Sequence, residues 1–339
     1  MKIIVDAMGG DNAPLEIVKG ALAGQKHWGV DIALTGDESA IRDALAQCGQ
    51  GELPQGVEIV PTSQTVDMCD DPATVFRRKK DTSMGVGLTM LREGKADALV
   101  SAGSTGALLT GATLITKRIH GIRRAAMAPV IPTTTGQAVL IDCGANAECT
   151  PEYLVQFAYL GSFYAQQVLG LERPRVGLLN IGAEDSKGTD LQKQTLARLK
   201  EADAAGHLHF IGNIEAKEAI KGGCDAIVTD GFSGNILLKT MEGVGSFAGS
   251  ALKSMFKKNL LTKLAALAVM PGLKAFKDRL DPNKVGGTAF IGISKAVIKA
   301  HGASNAEAVE NAVGQAAAFA RSGLIEKIEE NVNLMKIEQ

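Results

Sequence analysis

The chain has 339 residues, a formal net charge of −1, 45% apolar residues and 22% charged residues. This composition is typical of a globular protein of roughly two domains or one large two-lobed unit, and it excludes a disordered, fibrous or strongly nucleic-acid-binding chain. The 5 cysteines form no CxxC pair and their odd number suits reduced thiols in a cytosol, so we expect neither a disulfide nor a structural zinc site.

Short β-branched or leucine-rich runs alternate with amphipathic runs along the chain. In order, the runs that predict strands are KIIVDA, DIALTG, VEIVP, ADALVSAG, QAVLIDCG, PRVGLLNIG, LHFIGN and CDAIVTDG. Each precedes a helical pattern, and this alternation is typical of βα units in a mostly parallel sheet with helices on both faces. The first run is far shorter than the apolar part of a signal peptide, so no export signal is expected.

Chemical signals mark several of the predicted helix starts. Asp71-Pro72 precedes ATVFRRKK, Thr150-Pro151-Glu152 precedes a long apolar helix, and Ser304 with Glu307 precedes an alanine-rich helix. After Asn235 the alternation gives way to one long helical run, and it resumes near GGTAFIGISKAVIKAHG.

This pattern predicts a single two-lobed α/β catalytic unit over residues 1–339. Within it, residues 246–282 are expected to form an amphipathic helical protrusion at the edge of the fold.

Five of the predicted strands end in glycine-containing loops with polar residues: VDAMGGDNAP, VSAGSTGALL, IDCGANAE, LNIGAEDSKGTD and VTDGFSGN. Ligands bind outside the carboxyl ends of parallel strands, so these loops are expected to converge on one crevice. A glycine loop that leads into a helix gathers backbone N–H groups at the positive end of the helix dipole, which favours an anion such as phosphate. Residues 103–106 and Gly234-Asn235 fit that description. A tight turn would explain any single loop equally well, but five together favour a site.

The sequence lacks the common nucleotide, metal and nucleophile motifs. No GxGxxG follows a strand, and in GAEDSKGT the lysine precedes the glycine, which is the reverse of a P-loop. No GxSxG or HExxH motif is present, and the histidines, which we place outside the five loops, are His27, His120, His207, His209 and His301. His207 and His209 alternate on a predicted strand but have no third ligand nearby, so we expect no metal and no cofactor.

The polar residues that remain in the loops suit an anionic substrate. They are Lys187, flanked by Glu184 and Asp185, together with Asp6, Asp11, Asp142, Asn146, Asp230 and Asn235. Such a set orients an anion better than it supplies a nucleophile. Lys187 is equally explained as a solvated loop lysine, and Asn235 as a helix cap.

Six motifs in chain order resemble those of the bacterial phosphate acyltransferase (PlsX) family: VDAMGGDNAP, SAGSTGAL, DCGANAE, LLNIGAEDSKG, TDGFSGN and VIKAHG. The resemblance implies an isocitrate/isopropylmalate dehydrogenase-like fold that uses no nicotinamide, a homodimer, and conversion of acyl-[acyl carrier protein] plus phosphate into acyl phosphate for phospholipid synthesis. This chain differs from the family pattern at two positions. The family usually has SAGNTGAL where this chain has Ser104, and often MGGDHAP where this chain has Asn12. Both substitutes can still form hydrogen bonds.

On this resemblance, phosphate itself is the nucleophile. Lys187 and the turn at residues 103–106 are expected to hold phosphate in line with the thioester carbonyl, and Asn235 to donate to the developing oxyanion. Asp230 is expected to orient Lys187 or Asn235. The expected substrate-binding residues are Gly9, Gly10, Asp11, Gly103, Ser104, Thr105, Gly106, Asn146 and Gly234.

Three alternatives stay open at the level of sequence. A phosphate acetyltransferase acting on acyl-CoA would share the chemistry, and a non-catalytic scaffold for lipid synthesis would need only membrane attachment. A metal- and NAD-dependent decarboxylating dehydrogenase is disfavoured, because no aspartate cluster is spaced for its metal.

An acidic acyl carrier protein would require a basic docking surface. Candidate clusters are Arg77-Arg78-Lys79-Lys80, Lys117-Arg118 and Arg123-Arg124. A solvated helix face explains each cluster equally well.

The segment NLLTKLAALAVMPGLKAF, residues 259–276, predicts two short amphipathic helices joined at Pro271. Residues 250–279 carry seven Lys and Arg against one Asp, so this stretch is +6 while the rest of the chain is −7. The longest apolar run has seven residues, whereas a spanning helix needs about 20, so we expect binding to the surface of an anionic membrane. The expected membrane-contacting residues are Leu260, Leu261, Leu264, Leu267, Leu273 and Phe276. A buried helix pair is the alternative.

These expectations place the protein in the cytoplasm, peripherally bound to the inner face of the cell membrane. There it would deliver its product to a downstream membrane glycerol-phosphate acyltransferase.

Overall fold

A computed structural model of the chain describes residues 1–259, 262, 265–266, 269–270, 272, 274, 284 and 286–336. Two sheets organise this part of the chain. The first has seven strands in the spatial order β3 (Val57–Pro61), β2 (Asp31–Gly36), β1 (Lys2–Asp6), β4 (Ala98–Ser101), β12 (Ala296–Ala300), β11 (Gly287–Ile291) and β5 (Ala126–Ala128). Its neighbouring strands pair in parallel, except that β11 runs antiparallel to both of its neighbours.

The second sheet has five strands in the order β6 (Val130–Thr133), β7 (Gly136–Ile141), β10 (Ala226–Val228), β8 (Arg175–Leu179) and β9 (His209–Ile214). Only β6 is antiparallel to its neighbour. A single residue, Pro129, separates β5 of the first sheet from β6 of the second, so the two sheets meet at this point.

Helices cover both faces of the sheets. They are α1 (Leu15–Trp28), α2 (Glu38–Gln47), α3 (Val75–Arg78), α4 (Ser83–Arg92), α5 (Thr105–Gly111), α6 (Pro151–Gln167), α7 (Asp190–Ala204), α8 (Ala216–Ile220), α9 (Gly231–Lys257), α10 (Ala306–Arg321) and α11 (Leu324–Glu330). A π-helical turn (Ala112–Thr116) continues α5, and a 3₁₀ turn (Val332–Met335) follows α11.

The central strands are apolar on both sides because helices pack on both sides. Ile3 and Val5 of β1 belong to the cluster that contains α1 and α10, whereas Ile4 belongs to the cluster that contains α4 and α5. The first of these clusters also contains the inward faces of β7, β8 and α6, so buried apolar contacts continue from one sheet to the other.

Two glycines one turn apart bring α1 against α10. A Cβ at Gly20 would come within 2.6 Å of the Val309 Cβ, and one at Gly24 within 2.9 Å of the Val313 Cβ. Larger residues would push these helices apart, because successive turns of a helix face stack on each other.

The eight strands predicted from sequence are all present, and the prediction of a mostly parallel α/β fold is confirmed. Strands β5 and β6 were not predicted. The start predicted at Thr150 is confirmed, since its side chain accepts a hydrogen bond from the Tyr153 N–H. The start predicted at Ser304 is wrong by one residue, because Asn305 caps α10 by accepting from the Ala308 N–H. The helix predicted after Asp71-Pro72 is confined to the four residues of α3.

No helix among the described residues is long and apolar enough to cross a bilayer. The six predicted membrane-contacting residues and Pro271 lie outside the described residues.

Candidate active site

A cleft of about 760 Å³ lies between the two sheets. The loops that follow β1, β4 and β12 line it from the first sheet, and β6, the loop after β7 and helix α9 line it from the second. The carboxyl ends of several parallel strands therefore face one space, which is where open α/β sheets bind ligands.

The three loops of the first sheet are packed directly against one another. Gly10 has a φ of 102°, and a Cβ there would come within 2.9 Å of the Ala102 Cβ and 3.0 Å of the Gly302 carbonyl oxygen. The Asp11 N–H donates to that same carbonyl at 2.8 Å. The Asn12 side chain donates to the carbonyls of Ala303 and Ser304 at 3.3 and 3.2 Å, so Asn12 holds the β1 loop to the β12 loop.

A chain of buried hydrogen bonds holds the loop after β4. The Gly103 N–H donates to the Ser101 hydroxyl at 3.1 Å, and that hydroxyl donates to the Asp6 carboxylate at 2.6 Å. Burial raises the pKa of Asp6. These bonds fix the backbone at Gly103, next to the cleft.

Ser104 is the N-cap of α5. Its buried hydroxyl accepts a hydrogen bond from the Ala107 N–H at 3.4 Å, the contact that an N-cap side chain normally makes. Ser104 and its neighbour Thr105 both line the cleft.

In the second sheet, the buried carboxylate of Asp142 organises the loop after β7. It accepts hydrogen bonds from the N–H groups of Met127, Cys143 and Asn146 at 2.8, 2.6 and 2.6 Å. The Asn146 side chain donates to this carboxylate and to the Ala125 carbonyl. Asp142 and Asn146 thus shape the loop, and Asn146 is not among the described residues that line the cleft.

Helix α9 begins at the edge of the cleft. The Asp230 carboxylate caps it by accepting from the Ser233 N–H and hydroxyl at 2.8 and 2.9 Å. A Cβ at Gly234 would lie 2.0 Å from the Asp142 carbonyl oxygen, so only glycine allows the helix to pass this close. Asn235 follows, lines the cleft and lies beside Gly144.

Lys187 lies in the loop after β8, and its side chain is exposed. It is not among the described residues that line the cleft, and its ammonium has no hydrogen-bond or ion-pair partner among them. Lys187 is therefore not among the described residues that share the cleft with Gly103, Ser104 and Thr105.

Of the residues predicted to bind or transform the substrate, the structure brings together Gly10, Asp11, Gly103, Ser104, Thr105 and Asn235 as lining residues. The others do not line the described cleft: Gly9, Gly106, Asn146, Asp230 and Gly234 are close in sequence to residues that do, whereas Lys187 lies in the loop after β8, which contributes no lining residue.

Among the described polar residues of the cleft that the sequence analysis missed, three could carry a positive charge. Lys299 and His301 lie at the end of β12 and just after it, and Lys239 lies on α9. His301 does lie outside the five predicted loops, but VIKAHG forms a sixth loop that lines the cleft. A lysine inside the apolar run AVIKA was the available signal, since a central strand seldom buries a cation without a reason.

His301 has a defined hydrogen-bonding pattern. The Ala303 N–H donates to its Nδ1 at 3.2 Å. A backbone N–H can only donate, so the neutral ring carries its own proton on Nε2.

Part of the lining of the cleft is apolar. It is formed by Met127 of β5, by Val130, Ile131 and Pro132 of β6, by Pro129 between these strands, by Leu238 and Met241 of α9, and by Val66 and Met68 from the loop before α3. Cys143 also lines the cleft, but burial raises the pKa of its thiol to about 12, so it does not supply a thiolate at neutral pH. The described part of the chain holds no group of three His, Cys, Asp or Glu residues placed to bind a metal.

The predicted docking residues differ in how far they are already engaged. The Lys79 ammonium donates to Asp67 and Asp70 at 2.8 and 2.6 Å and so holds the loop that carries Met68 over the cleft. Arg123 is paired with Glu152 at 2.9 Å, and the Arg124 guanidinium lies 5.5 Å from the centre of the Tyr153 ring. Arg77 and Arg78 are exposed.

Comparison with known protein families gives a consistent result. A family described as fatty acid synthesis protein matches residues 1–327. A phosphate acyltransferase from Alkaliphilus oremlandii is 46% identical over 333 residues, covering 98% of this chain and 98% of that protein. A phosphate acyltransferase from Brevibacillus brevis is 45% identical over 334 residues, covering 98% of this chain and 97% of that protein.

Solved structures share the fold at low sequence identity. A phosphotransacetylase from Streptococcus pyogenes matches with a TM-score of 0.64 and 18% identity, covering 94% of each chain. A 4-hydroxythreonine-4-phosphate dehydrogenase from Klebsiella pneumoniae matches with a TM-score of 0.55 and 14% identity, covering 95% of this chain and 99% of that one. These two similarities concern the fold alone.

Proposed function

The chain belongs to the phosphate acyltransferase family, and we propose that it transfers a fatty acyl group from the thioester of an acyl carrier protein to inorganic phosphate. The observation that carries this proposal is the two-sided character of the cleft. Its apolar wall suits an acyl chain, while its glycine loops and polar side chains suit phosphate. The acyl phosphate would then serve phospholipid synthesis.

The reaction needs no nucleophile from the protein. An oxygen of HPO₄²⁻ attacks the thioester carbonyl carbon, the new C–O bond forms, and the C–S bond breaks. The sulfur leaves with the bonding electron pair and receives the proton that the phosphate loses, giving acyl phosphate and a thiol. The enzyme contributes by holding both reactants in line and by stabilising the oxyanion.

We assign these roles to residues as follows. The loop at Gly103–Thr105 contacts phosphate, and the Asn235 amide donates to the oxyanion from the opposite side of the cleft. Asp230 acts through the start of α9, because its carboxylate fixes the turn from which Asn235 projects. Lys187 would approach the substrate from the loop after β8.

The test is an assay of the purified protein with radiolabelled acyl chains on acyl carrier protein, in the presence of phosphate. Formation of hydroxylamine-sensitive acyl phosphate supports the proposal. Turnover of acyl-CoA with none of the carrier-bound acyl chain would instead indicate an enzyme of the phosphate acetyltransferase type. Absence of acyl phosphate from either donor would leave the membrane scaffold as the better explanation.

At the level of fold, we propose the isocitrate/isopropylmalate dehydrogenase-like arrangement. The two mostly parallel sheets around a central cleft support it, as does the similarity to another dehydrogenase structure. Superposing an experimental structure of this chain on an isocitrate dehydrogenase tests the assignment, and a different strand order would refute it.

For the acyl carrier protein we propose docking at Arg77 and Arg78. Both are exposed at the end of the segment whose earlier residues, Thr65–Met68, line the cleft. A carrier bound there could deliver its acyl chain past Met68.

We also propose a homodimer that buries one side of α9. The exposed apolar residues of this helix are Phe232, Ile236, Val244, Phe247 and Met255. At 3.6 residues per turn, these five residues lie within an arc of about 140° around the helix axis, so they form a stripe on one side of the helix. A second copy could cover this stripe in a two-fold symmetric contact.

Beyond α9 we propose that residues 259–276 bind the surface of an anionic membrane. The support is the sequence alone, namely its leucines and the net charge of +6 over residues 250–279.

A further inference from the structure

Lys299 is a buried cation in the cleft. Only 7% of the residue is exposed. Its ammonium donates to the carbonyl of Ala102 at 3.4 Å and to the carbonyl of Ala300, and both acceptors are uncharged. Within the described part of the chain, no carboxylate forms an ion pair with it.

Strand register places Lys299 in a row of polar residues. Lys299 of β12 is opposite Ser101 of β4, and Ser101 is opposite Asp6 of β1. Neighbours in register point to the same face of a sheet, so the three side chains share one face at the carboxyl ends of three adjacent strands. Asp6 accepts its hydrogen bonds from Ser101 and from the Met8 N–H, so its carboxylate is already engaged by neutral donors.

The position of the ammonium leaves one of its donors for a ligand. A lysine ammonium has three N–H donors, and two of them are used by the carbonyls. Lys299 lines the cleft together with Ala102–Thr105 and His301–Gly302. An unpaired charge is costly to bury, and a bound anion would remove that cost.

Of the three lysines considered for the site, Lys299 has the best placement for this role. Lys239 also lines the cleft, but it is exposed and pairs with Glu242 at 2.7 Å. Lys187 is exposed and outside the described lining. A buried ammonium attracts an anion more strongly than either, because water screens it less.

We infer that Lys299 is the cation that binds the phosphate substrate, holding it against the Gly103 loop for attack on the thioester. This inference rests on the proposed function. The ammonium forms no covalent bond and loses no proton in the reaction: it pairs with the phosphate dianion and remains beside the product's phosphoryl group, which carries the same charge.

The experiment compares Lys299→Met with Lys295→Met. Lys295 precedes the amino end of the same strand and is not among the described residues that line the cleft, so the control removes an equal charge elsewhere. We expect Lys299→Met to raise the KM for phosphate by at least about tenfold and to change the KM for the acyl donor by less than about twofold. Lys295→Met should leave both values unchanged. An unchanged KM for phosphate in a folded Lys299→Met would overturn the inference.

Phosphate binding can also be measured without turnover, which separates this inference from the proposed function. Inorganic phosphate should raise the Tm of the wild-type protein and of Lys295→Met, but not that of Lys299→Met, because a ligand stabilises only the state that binds it. If wild-type protein forms no acyl phosphate yet shows this Lys299-dependent shift, the reaction assignment fails and the phosphate site stands. An equal shift in all three proteins would refute the site.

If Lys299→Met does not fold, the wild-type protein still provides a test. Acetic anhydride labelling followed by mass spectrometry gives the acetylation rate of each lysine. Inorganic phosphate should slow acetylation of Lys299 at least about fivefold and leave that of Lys295 unchanged. Equal rates at Lys299 with and without phosphate would exclude binding there.

Discussion

The ionisation of Lys299 gives the first prediction. Burial lowers the pKa of Lys299 to about 8, while the nearby charges of Asp6 and Asp11 oppose this change and that of Lys239 adds to it. A lysine is charged below its pKa, so phosphate binding should be strong at neutral pH and weaken as the pH rises through about 8. Well above that value the KM for phosphate should rise about tenfold per pH unit.

Initial rates between about pH 8 and pH 10 would measure this dependence, since inorganic phosphate is already mostly the dianion at about pH 8 and stays so up to about pH 10. In Lys299→Met the same plot should be flat over this range. A wild-type KM for phosphate that does not change with pH would contradict the assignment of Lys299.

Asn235 gives a second prediction at the residue scale. Asn235→Ala should lower kcat by at least about tenfold without unfolding the protein, because the side chain is exposed in the cleft and is proposed to donate to the oxyanion. From sequence, Lys187→Ala is predicted to cause a loss of similar size. The position of its exposed side chain outside the described lining predicts that the loss is smaller than for Asn235→Ala.

Steady-state rates of the two variants, with circular dichroism as a check of folding, distinguish these cases. Near-normal turnover in Asn235→Ala would show that Asn235 does not take part in the reaction. A larger loss in Lys187→Ala than in Asn235→Ala would show that the loop after β8 reaches the substrate.

Single residues show where sequence reasoning succeeds and where it fails. The loops that gather at the cleft were predictable, because glycines and polar residues at strand ends mark them. Which polar side chain faces the ligand was not predictable, because Asp142 and Asn146 use their hydrogen bonds to shape a loop. Lys299 was missed for the opposite reason, since it lies inside an apolar strand pattern where a functional cation is unexpected.

At the scale of elements, the short helix α3 gives a prediction about carrier docking. Arg77→Glu/Arg78→Glu should raise the KM for acyl carrier protein at least about tenfold and weaken its salt dependence, because the carrier is acidic. The KM for acyl-CoA should not change. Lys79 should be kept in this experiment, because its ion pairs with Asp67 and Asp70 hold the neighbouring loop.

The matched control is Lys26→Glu/Arg173→Glu, which changes the net charge equally at two exposed residues near the amino ends of the strands. Equal effects of both double variants, or equal effects on both donors, would rule out docking at α3.

Elements with strong periodicity were predicted well, and very short strands were not. The apolar run of β1 and the Thr150-Pro151 start of α6 carry local signals. Strands β5 and β6 are only three and four residues long; β5 pairs with the distant strand β11, and β6 pairs with β7 across a tight turn. A sequence window of that length holds too little pattern to identify them.

Helix α9 gives a prediction about assembly. Phe247, which is 75% exposed, should lie in a dimer interface, so Phe247→Glu should convert a dimer into a monomer in sedimentation equilibrium. Leu114→Glu is the control, because Leu114 is 59% exposed in the π-helical turn and lies outside the stripe. A monomeric wild-type protein, or a Phe247→Glu dimer, would refute this interface.

At the scale of the whole molecule, the residues that line the cleft and the residues that carry the basic excess occupy different parts of the chain. The described residues that line the cleft lie within residues 8–144, 235–242 and 286–302, while the basic excess is confined to residues 250–279, where the net charge is +6 against −7 elsewhere. Core packing needs leucines but gains nothing from such a local excess of lysine. An anionic membrane surface would attract this segment and repel the rest, with a contribution on the order of 1 kcal/mol per basic residue. The molecule would therefore bind in one orientation.

This orientation leads to the last prediction, which concerns residues 259–276. On a helical wheel of the sequence, Leu260, Leu264 and Leu267 form one stripe and Thr262 and Ala266 face the other way. Leu260→Glu/Leu264→Glu should abolish sedimentation with anionic liposomes while activity on soluble acyl carrier protein persists. Thr262→Glu/Ala266→Glu lowers the net charge of the segment by the same amount but keeps the leucines, so it should retain more of the liposome binding than the leucine variant does. Equal loss of binding in both variants would show that the interaction depends on charge alone. If the leucine variant unfolds, or if the wild-type protein does not bind anionic liposomes at low salt, the segment belongs to the core or to the dimer interface.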